Sequence, residues 1–504
     1  MGYKEGTSRE QYTYWALEDV VANESMVRVI DRYIDGCNLE QLGFTRTKPA
    51  ATGRPCYPPD ALAKLYIYGY ENGIRSSRKL ERECTRNLEA MWLMDNLTPD
   101  HTVISEFRRL NTRPLQKLFR EFVKLCRSWD LVRGELLAVD GSKIKASNNK
   151  KNNFSKKKLA DRLKRLDMSI DEYLLTSEEE DRLEESQGEA PEGLLELIER
   201  RDLYQSYMNY LNETGETEIS IVDPDARLMG NNRGGVDMAY NVQSVVDGEH
   251  HIVVDYDVSM NPSDQGQLSN MSKRLIRQGY RRFTLLADKG YYNGECLGKC
   301  KKFKIKAIVS RQAPSNPKDQ PKDFNTDKFM YDSDYDTYTC PTGATLHPHN
   351  KKTADRRTFY NKKACDKCQH ADQCISGKSK YRTITRSKHS DIYDETDRIF
   401  KSNLQTYKFR QQIVEHPFGT VKRTMDGGYF LLRRRRKVRT EAALLLLGYN
   451  LKRVYNVLGF SEIMVRLDSR ISCFSQYLRL FGDFYLFHDS DTHFSATELH
   501  LCFV

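Results

Sequence analysis

Apolar residues recur at helical spacing through the first 115 residues of the chain. After Pro59 they stand at Leu62, Leu65, Tyr66 and Tyr70, close to the period of about 3.6 residues of an α-helix. Serine and Thr-Pro-Asp segments ahead of such runs supply side chains that can cap a helix N-terminus. The pattern predicts an all-helical N-terminal domain over residues 1–115.

One predicted helix near the end of this domain has a basic face. Its apolar side is formed by Val103, Ile104, Phe107 and Leu110. Arg108 and Arg109 are predicted to lie on the exposed side. Short helices with basic faces are typical of a helix-turn-helix protein that binds DNA, but a plain helical bundle gives the same pattern. The sequence leaves both interpretations open.

From about residue 130 the pattern changes to short apolar runs typical of buried strands. Two of these runs are each followed directly by an aspartate, Asp140 in the first and Asp288 in the second. Further strands are predicted over 218–222, 238–246, 251–258 and 305–310. Strands interleaved with helices indicate an α/β core over residues 130–310 and 400–458.

Three other segments interrupt or follow this core. Residues 150–217 are dense in charge, with apolar residues at helical spacing, and predict a helical arm within the core. Residues 312–400 are polar and rich in Pro, Asn, Asp and Lys, which indicates an inserted subdomain. A long apolar helix is predicted over 440–458, and the tail at 459–504 continues no earlier pattern.

Positive charge is concentrated in one part of the sequence. The 504 residues include 80 Lys and Arg against 70 Asp and Glu, a formal net charge of +10. Residues 401–460 alone hold 13 Lys and Arg against three acids, a difference equal to that whole excess. Such a cluster is typical of a protein that binds a polyanion, although a solvated basic face is the alternative interpretation.

Membrane insertion and export are not expected. The longest apolar stretch, Ala442–Leu447, is far shorter than the ~20 residues of a membrane-spanning helix. The N-terminal segment is polar and predicts no secretory signal, so a cytoplasmic, nucleoid-associated location is expected. The 12 cysteines are accordingly expected to be thiols or metal ligands in a reducing compartment.

Four of these cysteines lie in the polar insertion and include a Cys-x-x-Cys pair. They are Cys340, Cys365, Cys368 and Cys374, with His370 as an alternative ligand. Four thiolates predict a structural Zn²⁺ site, whereas the uneven spacing fits reduced cysteines without metal equally well. The cysteines at 37, 84 and 126 fall within helical patterns and are predicted to lie in the core.

Two aspartates at the ends of neighbouring strands suggest a metal site. The carboxyl ends of strands in an open α/β sheet converge, and two carboxylates there repel each other unless a cation lies between them. Oxygen ligands of this kind suit Mg²⁺ or Mn²⁺. Glu415, within the basic segment, is the candidate third carboxylate of a two-metal site. The alternative role for Asp140 and Asp288 is that of turn formers.

Several segments in the same order resemble the DDE insertion-sequence transposases of bacteria. They are 138–144 (AVDGSKI), 286–292 (LADKGYY), 414–423 (VEHPFGTVKR), 53–80, 97–101, 223–227 (DPDAR) and 233–235 (RGG). The resemblance covers about residues 10–460. It implies an RNase H-like mixed sheet in the core, a divalent metal, and cut-and-paste transposition with Asp140, Asp288 and Glu415 as the catalytic triad.

The resemblance also suggests which cations contact DNA. Arg410 and Lys422 are expected to bind phosphates near the scissile bond. The other predicted DNA contacts are Arg423, Arg433, Arg434, Arg435, Arg436, Arg108 and Arg109. Arg410 and Glu415 are separated by four residues, one more than in the family signature, and Pro417 disfavours helical geometry at His416.

The sequence therefore predicts a transposase that acts on double-stranded DNA, as a homodimer, and carries out metal-dependent cleavage and strand transfer. Two alternatives remain open from the sequence. One is a DNA-binding protein derived from a transposase that has no catalytic activity, and the other is a metal-dependent nuclease without strand transfer.

Overall fold

A computed structural model describes residues 10, 12, 14–49, 51–52, 55–181, 192–231, 234–311, 322–349, 355–375 and 379–471. The chain forms two compact units. The first unit comprises residues 1–132, 144–226 and 419–504, and the second comprises residues 133–143 and 227–418. Residues 472–504 of the predicted C-terminal tail lie outside the described residues, as does Arg233.

Helices occupy most of the first unit and flank the sheets of the second. In chain order they are α1 (Leu17–Val20), α2 (Met26–Asp35), α3 (Leu39–Leu42), α4 (Pro59–Glu71), α5 (Ser77–Arg86), α6 (Leu88–Leu93), α7 (His101–Leu110), α8 (Thr112–Ser128), α9 (Lys156–Asp181), α10 (Glu192–Thr214), α11 (Gln267–Arg277), α12 (Gly294–Lys302), α13 (Lys362–Asp366), α14 (Ala371–Cys374), α15 (Ser390–Ser402), α16 (Leu404–Arg423) and α17 (Arg435–Leu458). The predicted helical N-terminal region is thus confirmed.

Strands are concentrated in the second unit. They are β1 (Leu136–Lys145), β2 (Asn153–Ser155), β3 (Glu218–Ser220), β4 (Arg227–Gly230), β5 (Val236–Asp247), β6 (Val253–Ser259), β7 (Thr284–Ala287), β8 (Lys306–Val309), β9 (Met330–Asp332), β10 (Thr337–Thr339), β11 (Thr345–Pro348), β12 (Arg356–Tyr360) and β13 (Thr383–Ser387).

The core of the first unit is a helical bundle in which α4 packs on α2 and α17, and α17 packs on α8. Helix α4 is buried from Ala61 to Glu71, and Pro59 stands at its first turn, where a missing N–H costs nothing. Helix α7 begins at Asp100, whose carboxylate accepts hydrogen bonds from the Thr102 and Val103 amides. In this bundle, the capping residues mark the same helices as the apolar faces that are buried.

A buried ion pair links α17 to the segment that follows α4. The Arg75 guanidinium lies 3.0 Å from the Glu441 carboxylate, and both side chains are almost fully buried. Glu441 also accepts hydrogen bonds from the Leu431 and Leu432 amides, while Arg75 donates to the Tyr429 carbonyl. Every charge in this group therefore has several partners, which is what makes its burial tolerable.

Helix α17 begins five residues earlier than predicted, at Arg435 and not at Thr440. Two carboxylates explain the difference: Asp223 Oδ1 accepts a hydrogen bond from the Arg434 amide at 2.9 Å, and Asp225 Oδ2 accepts one from the Arg435 amide at 2.8 Å. Acidic groups at a helix N-terminus satisfy its unpaired N–H groups and oppose its positive end. This is the structural role of the Asp-Pro-Asp segment.

The segment predicted as an arm forms two long helices, α9 and α10, joined at their base to the small antiparallel sheet of β2 and β3. A separate apolar cluster at the base consists of Phe154, Leu159 and Leu211. The cationic groups of Lys158 and Arg162 lie 4.6 and 4.8 Å from the centre of the Phe154 ring.

The second unit contains a mixed sheet with the strand order β4-β5-β1-β7-β8, and β6 pairs with β5. Strands β1, β7 and β8 are parallel, whereas β4 and β6 both run antiparallel to β5. The polar segment at 312–400 forms a second, antiparallel sheet, β13-β12-β11-β10-β9, over a small apolar core around Phe359. The predicted mixed α/β class is confirmed.

Two local expectations were wrong. Strand β1 does not end at Asp140 but continues to Lys145. Helix α16 does not break at Pro417, which lies inside it. Proline removes one helical hydrogen bond, but Ile413, Val414 and Phe418 around it are buried, and this packing outweighs the local preference.

No helix in the described part of the chain combines the length and the apolar character that crossing a membrane would need.

Candidate active site

The register of two parallel strands brings Asp140 and Asp288 to the same level. Ala138 of β1 pairs with Leu286 of β7, and two residues further along each strand lie the two aspartates. Neighbouring strands are about 4.8 Å apart, so the two carboxylates project from adjacent positions. The charge of Asp288 accordingly acts on Asp140.

A third carboxylate, for which the local sequence gave no signal, faces the same place. Asp264 follows β6 and its Oδ1 accepts hydrogen bonds from the side-chain amides of Asn241 at 2.8 Å and of Gln243 at 2.7 Å. Both amide residues belong to β5, next to β1, and both are fully buried. Buried amides that each find a partner hold the carboxylate in a defined position.

Two glycines make room for these carboxylates. A Cβ atom on Gly141 would collide with Asp264 Oδ1 and with the Gln243 amide. A Cβ atom on Gly290 would lie 3.0 Å from Asp288 Oδ1 and 3.6 Å from Asp264 Oδ2. Gly141 therefore permits a close approach of Asp264 that a side chain would obstruct, and Gly290 leaves space beside Asp288.

Asp140 has a strongly altered acidity. Its pKa is raised to about 7, chiefly by burial and also by the charges of Asp288 and Asp264, while Arg410 acts in the opposite direction. The Arg410 guanidinium lies 3.8 Å from Asp140 Oδ1. The arginine therefore offsets only part of the effect of burial and of the neighbouring carboxylates on this pKa.

Asp288 makes one contact of the kind expected of a turn former. Its Oδ1 accepts a hydrogen bond from the Gly290 amide at 2.8 Å. Tyr291, the next residue, is fully buried and donates its hydroxyl to Gln243, which links this turn to the amides that hold Asp264. The turn contact and a place at the site are thus compatible for Asp288.

Glu415 lies on α16, is exposed, and accepts a hydrogen bond from the Gln411 side-chain amide at 2.8 Å. On the same helix, Arg410 is the residue that reaches Asp140. Nowhere in the described ranges are three or more His, Cys, Asp or Glu side chains arranged to hold a metal ion. The structure thus brings Asp140, Asp288 and Asp264 near one another, and the contact that it shows for Glu415 is the one with Gln411.

Arg108 was expected to be exposed, and this was wrong. The residue is only partly accessible, its Nη1 atom is buried, and its guanidinium lies 5.4 Å from the centre of the Tyr66 ring. It packs inside the helical bundle as a cation over an aromatic face. Arg109 is exposed and lies 3.3 Å from the Glu106 carboxylate.

The other predicted DNA contacts differ in exposure. Arg423, Arg433, Arg434 and Arg436 are exposed, whereas Lys422 and Arg435 are half-buried and have partners. Helix α5 carries further cations that were not among the predicted contacts: Arg78, Lys79 and Arg82. They are exposed opposite the buried Leu80 and Cys84, and no ion pair joins them to another described residue. The sequence signal that could have identified these cations is the series of basic residues around the apolar positions Leu80 and Cys84 of the same helix.

The four cysteines of the insertion line one cavity beside the second sheet. All four are half-buried free thiols. Burial raises the pKa of Cys374, and the nearness of Cys365, Cys340 and Cys368 raises it further. They lie near one another but are not arranged as a metal site among the described residues. The cysteines at 37, 84 and 126 are buried, as predicted.

Two segments of the chain match known protein families. Residues 15–110 match the family described as Transposase domain (DUF772), and residues 339–455 match the Transposase DDE domain. The resemblance to DDE transposases of the insertion-sequence type is thereby confirmed. The second match includes Arg410 and Glu415 and does not reach Asp140 or Asp288.

The other comparisons add little. A search of curated proteins gives no match. Among solved structures, the chain is similar to a piggyBac transposase in a cryo-EM synaptic complex with hairpin DNA, at 9% identity over 89% of this chain and 82% of that one. The TM-score of 0.23 does not indicate a common fold.

The raised pKa of Asp140 predicts a pH effect on the stability of the protein without metal. Between its unfolded value of 3.8 and about 7, the folded protein binds a proton that the unfolded chain does not, so stability falls as the pH rises through this range. Asp140→Asn removes the ionisable group and with it this decrease. In EDTA, the variant should gain on the order of 2 kcal/mol over the wild type between about pH 4 and pH 8.

Urea unfolding at a series of pH values measures this difference. The exposed Glu213→Gln serves as the control for loss of one surface charge. If the free energy of unfolding changes with pH in the same way for Asp140→Asn and the wild type, the pKa of Asp140 is not raised and the prediction is wrong.

Proposed function

We propose that the protein binds the ends of a mobile DNA element and catalyses metal-dependent DNA cleavage and strand transfer. The observation that carries this proposal is the pair of aspartates, Asp140 and Asp288, at one level of two parallel strands in a chain with transposase domains. We further propose that the core is RNase H-like. Its parallel strands β1, β7 and β8 lie in the same sheet as β5, with which β4 and β6 pair in antiparallel fashion.

The donor set suits Mg²⁺ or Mn²⁺. The groups at the site are carboxylate oxygens, which these hard cations prefer, and their mutual repulsion favours a cation. Asp140 and Asp288 would hold the metal. When bound, such ions activate an attacking water or hydroxyl and stabilise the leaving oxygen of a phosphodiester. Glu415 remains the proposed third member of the triad, and that role requires its release from Gln411.

The protein's own residues supply position and charge. Arg410 is held by α16 beside Asp140, where a guanidinium can donate to a phosphate oxygen of the DNA strand. Phosphoryl transfer depends largely on such positioning and charge neutralisation. Lys422, on the same helix, is proposed to bind the DNA backbone as well.

Two exposed basic surfaces are proposed to bind double-stranded DNA, on which we expect a homodimer. The first, called the α5 surface, consists of Arg78, Lys79 and Arg82. The second, called the arginine surface, consists of Arg433, Arg434 and Arg436. Arg108 is not included among these DNA contacts, because its guanidinium packs over the Tyr66 ring. Cations without acidic partners suit phosphate groups because no internal ion pair has to be broken.

The four cysteines around the insertion cavity are proposed to hold a structural Zn²⁺. The four thiols line one cavity, and the other three cysteines help to raise the pKa of Cys374, so a bound cation would stabilise its thiolate. The small antiparallel sheet beside them has a short apolar core, and a metal would add folding energy there.

The substitution Asp288→Asn separates catalysis from binding. It keeps the size of the side chain and the acceptor for the Gly290 amide, but removes the charge needed to hold a metal. With duplex DNA taken from both flanks of the reading frame and Mg²⁺, strand cleavage should fall at least about 100-fold while DNA affinity changes less than about twofold.

The exposed Asp334→Asn is the matched control and should cleave like the wild type. Cleavage by the wild type without joining of ends would favour the nuclease alternative. Binding without any cleavage would favour the non-catalytic alternative, and full cleavage by Asp288→Asn would place the active site elsewhere.

Removal of either basic surface should weaken DNA binding and its dependence on salt. Three alanines in the α5 surface, or three in the arginine surface, should lower the slope of log affinity against log salt by roughly 0.9 for each phosphate that the protein no longer neutralises. Fluorescence anisotropy at several salt concentrations measures this slope.

A charge-matched control is available at Arg282, Lys302 and Lys304, which are also exposed. Their replacement by alanine removes the same charge and should leave the slope almost unchanged. An equal effect of all three triple variants would mean that net charge, and not a defined surface, determines affinity.

Elemental analysis tests the zinc proposal. Carefully purified protein should contain about one equivalent of zinc, and Cys368→Ser should lose most of it and become more sensitive to proteolysis around the insertion. The exposed Cys56→Ser is the control and should keep its zinc. Wild-type protein without zinc would contradict the proposal.

A further inference from the structure

Asp264 occupies a position that its local sequence does not explain. It lies in the segment between β6 and α11, yet its carboxylate is fixed by amides from β5. Gln243 in turn accepts a hydrogen bond from the buried Tyr291, and Asn241 also contacts the Asn261 carbonyl. The orientation of Asp264 is therefore set by a connected group of polar side chains.

The Asp264 carboxylate lies close to the two other aspartates. Its Oδ2 faces Gly290 beside Asp288, and its charge also raises the pKa of Asp140. In the described part of the chain, no ion pair joins Asp264 to a cation, and Arg410 is placed on Asp140. A neutral asparagine or glutamine could accept the same two amide hydrogen bonds without adding to the repulsion.

We propose that Asp264 is a positioning residue of the cation site, whose carboxylate supplies negative charge that draws a divalent cation to Asp140 and Asp288. The inference rests on the proposed function and adds to it a residue outside the predicted triad. Groups that surround metal ligands and fix their charge and orientation commonly affect metal affinity by about 10–100-fold.

The arrangement gives Asp264 two physical effects. It adds a third negative charge within a partly buried space, where electrostatic interactions are stronger than in water. Its fixed oxygens also lie against both glycines that follow the strand-end aspartates, so they define the space beside Asp140 and Asp288. Both effects act on cation binding and neither requires contact with DNA.

Asp264→Asn in the full-length protein tests the proposal. The variant keeps an oxygen that accepts from Asn241 and Gln243, and loses only the charge. Titration with Mn²⁺ followed by electron paramagnetic resonance, without DNA, should show an affinity about 10–100-fold weaker than that of the wild type. Asp264→Glu, which restores the charge, should recover part of this loss, and the exposed Asp334→Asn should bind Mn²⁺ normally.

The thermal midpoint in EDTA distinguishes this role from a purely structural one. Removal of a repelling charge should leave the midpoint of Asp264→Asn unchanged or raise it, whereas disruption of a structural hydrogen bond would lower it. A lowered midpoint, or unchanged Mn²⁺ affinity, would overturn the inference.

The same titration separates this inference from the proposed function. If Asp288→Asn abolishes Mn²⁺ binding and Asp264→Asn does not change it, the cation site stands and the role of Asp264 is refuted. If the wild type binds no Mn²⁺ at millimolar concentration, both the cation site and the role of Asp264 are refuted.

Discussion

Repulsion between carboxylates on two paired parallel strands is the constraint on which the rest of the site depends. The pairing of β1 with β7 places Ala138 beside Leu286, two residues before Asp140 and Asp288, and so brings the two aspartates close together. Two charges about 5 Å apart, roughly the spacing of neighbouring strands, repel each other by about 3 kcal/mol at an effective dielectric constant of about 20. Arg410 offsets part of this, but the pKa of Asp140 remains raised to about 7. Without a bound metal, Asp140 therefore takes up a proton more readily than an ordinary aspartate, whereas a bound cation would stabilise its charged form.

The mixed sheet supports this unfavourable group through the polar positions of β5. Asn241 and Gln243 are two residues apart, so they lie on one face of the strand, and both are fully buried. Buried amides are tolerated only when they are hydrogen-bonded, and here Asp264 and Tyr291 are among their partners. A strand that otherwise contributes to the apolar core thereby fixes a third carboxylate beside the first two.

The sequence predicted those parts of the site whose signal is local. An apolar run followed by an aspartate indicates a strand end, and this was enough to select Asp140 and Asp288. Asp264 has no such signal, because its partners on β5 come to it only through the pairing of β5 with β6 and β1. The position of Arg108 likewise depends on Tyr66, a distant residue in the sequence.

Local preferences failed where tertiary packing or a distant partner decided the outcome. Pro417 disfavours helical geometry at His416, yet α16 continues through both because its apolar residues are buried on both sides of the proline. Helix α17 begins within the arginine run because Asp223 and Asp225, more than 200 residues earlier, accept hydrogen bonds from its first amides. A count of charges along the chain therefore overstates the basic surface, since part of the run contributes to the helix start.

Affinity for DNA and affinity for a cation make opposite demands on charge. A phosphodiester approaching Asp140, Asp288 and Asp264 meets three carboxylates and is repelled unless positive charge is supplied at that point. Arg410 supplies part of it 3.8 Å from Asp140, and a bound divalent ion would supply the rest. Under the proposed function, the exposed cations of α5 and of the arginine surface would hold DNA whether or not the carboxylates are neutralised. DNA binding should thus persist without metal, whereas access of the scissile phosphate to the aspartates should not.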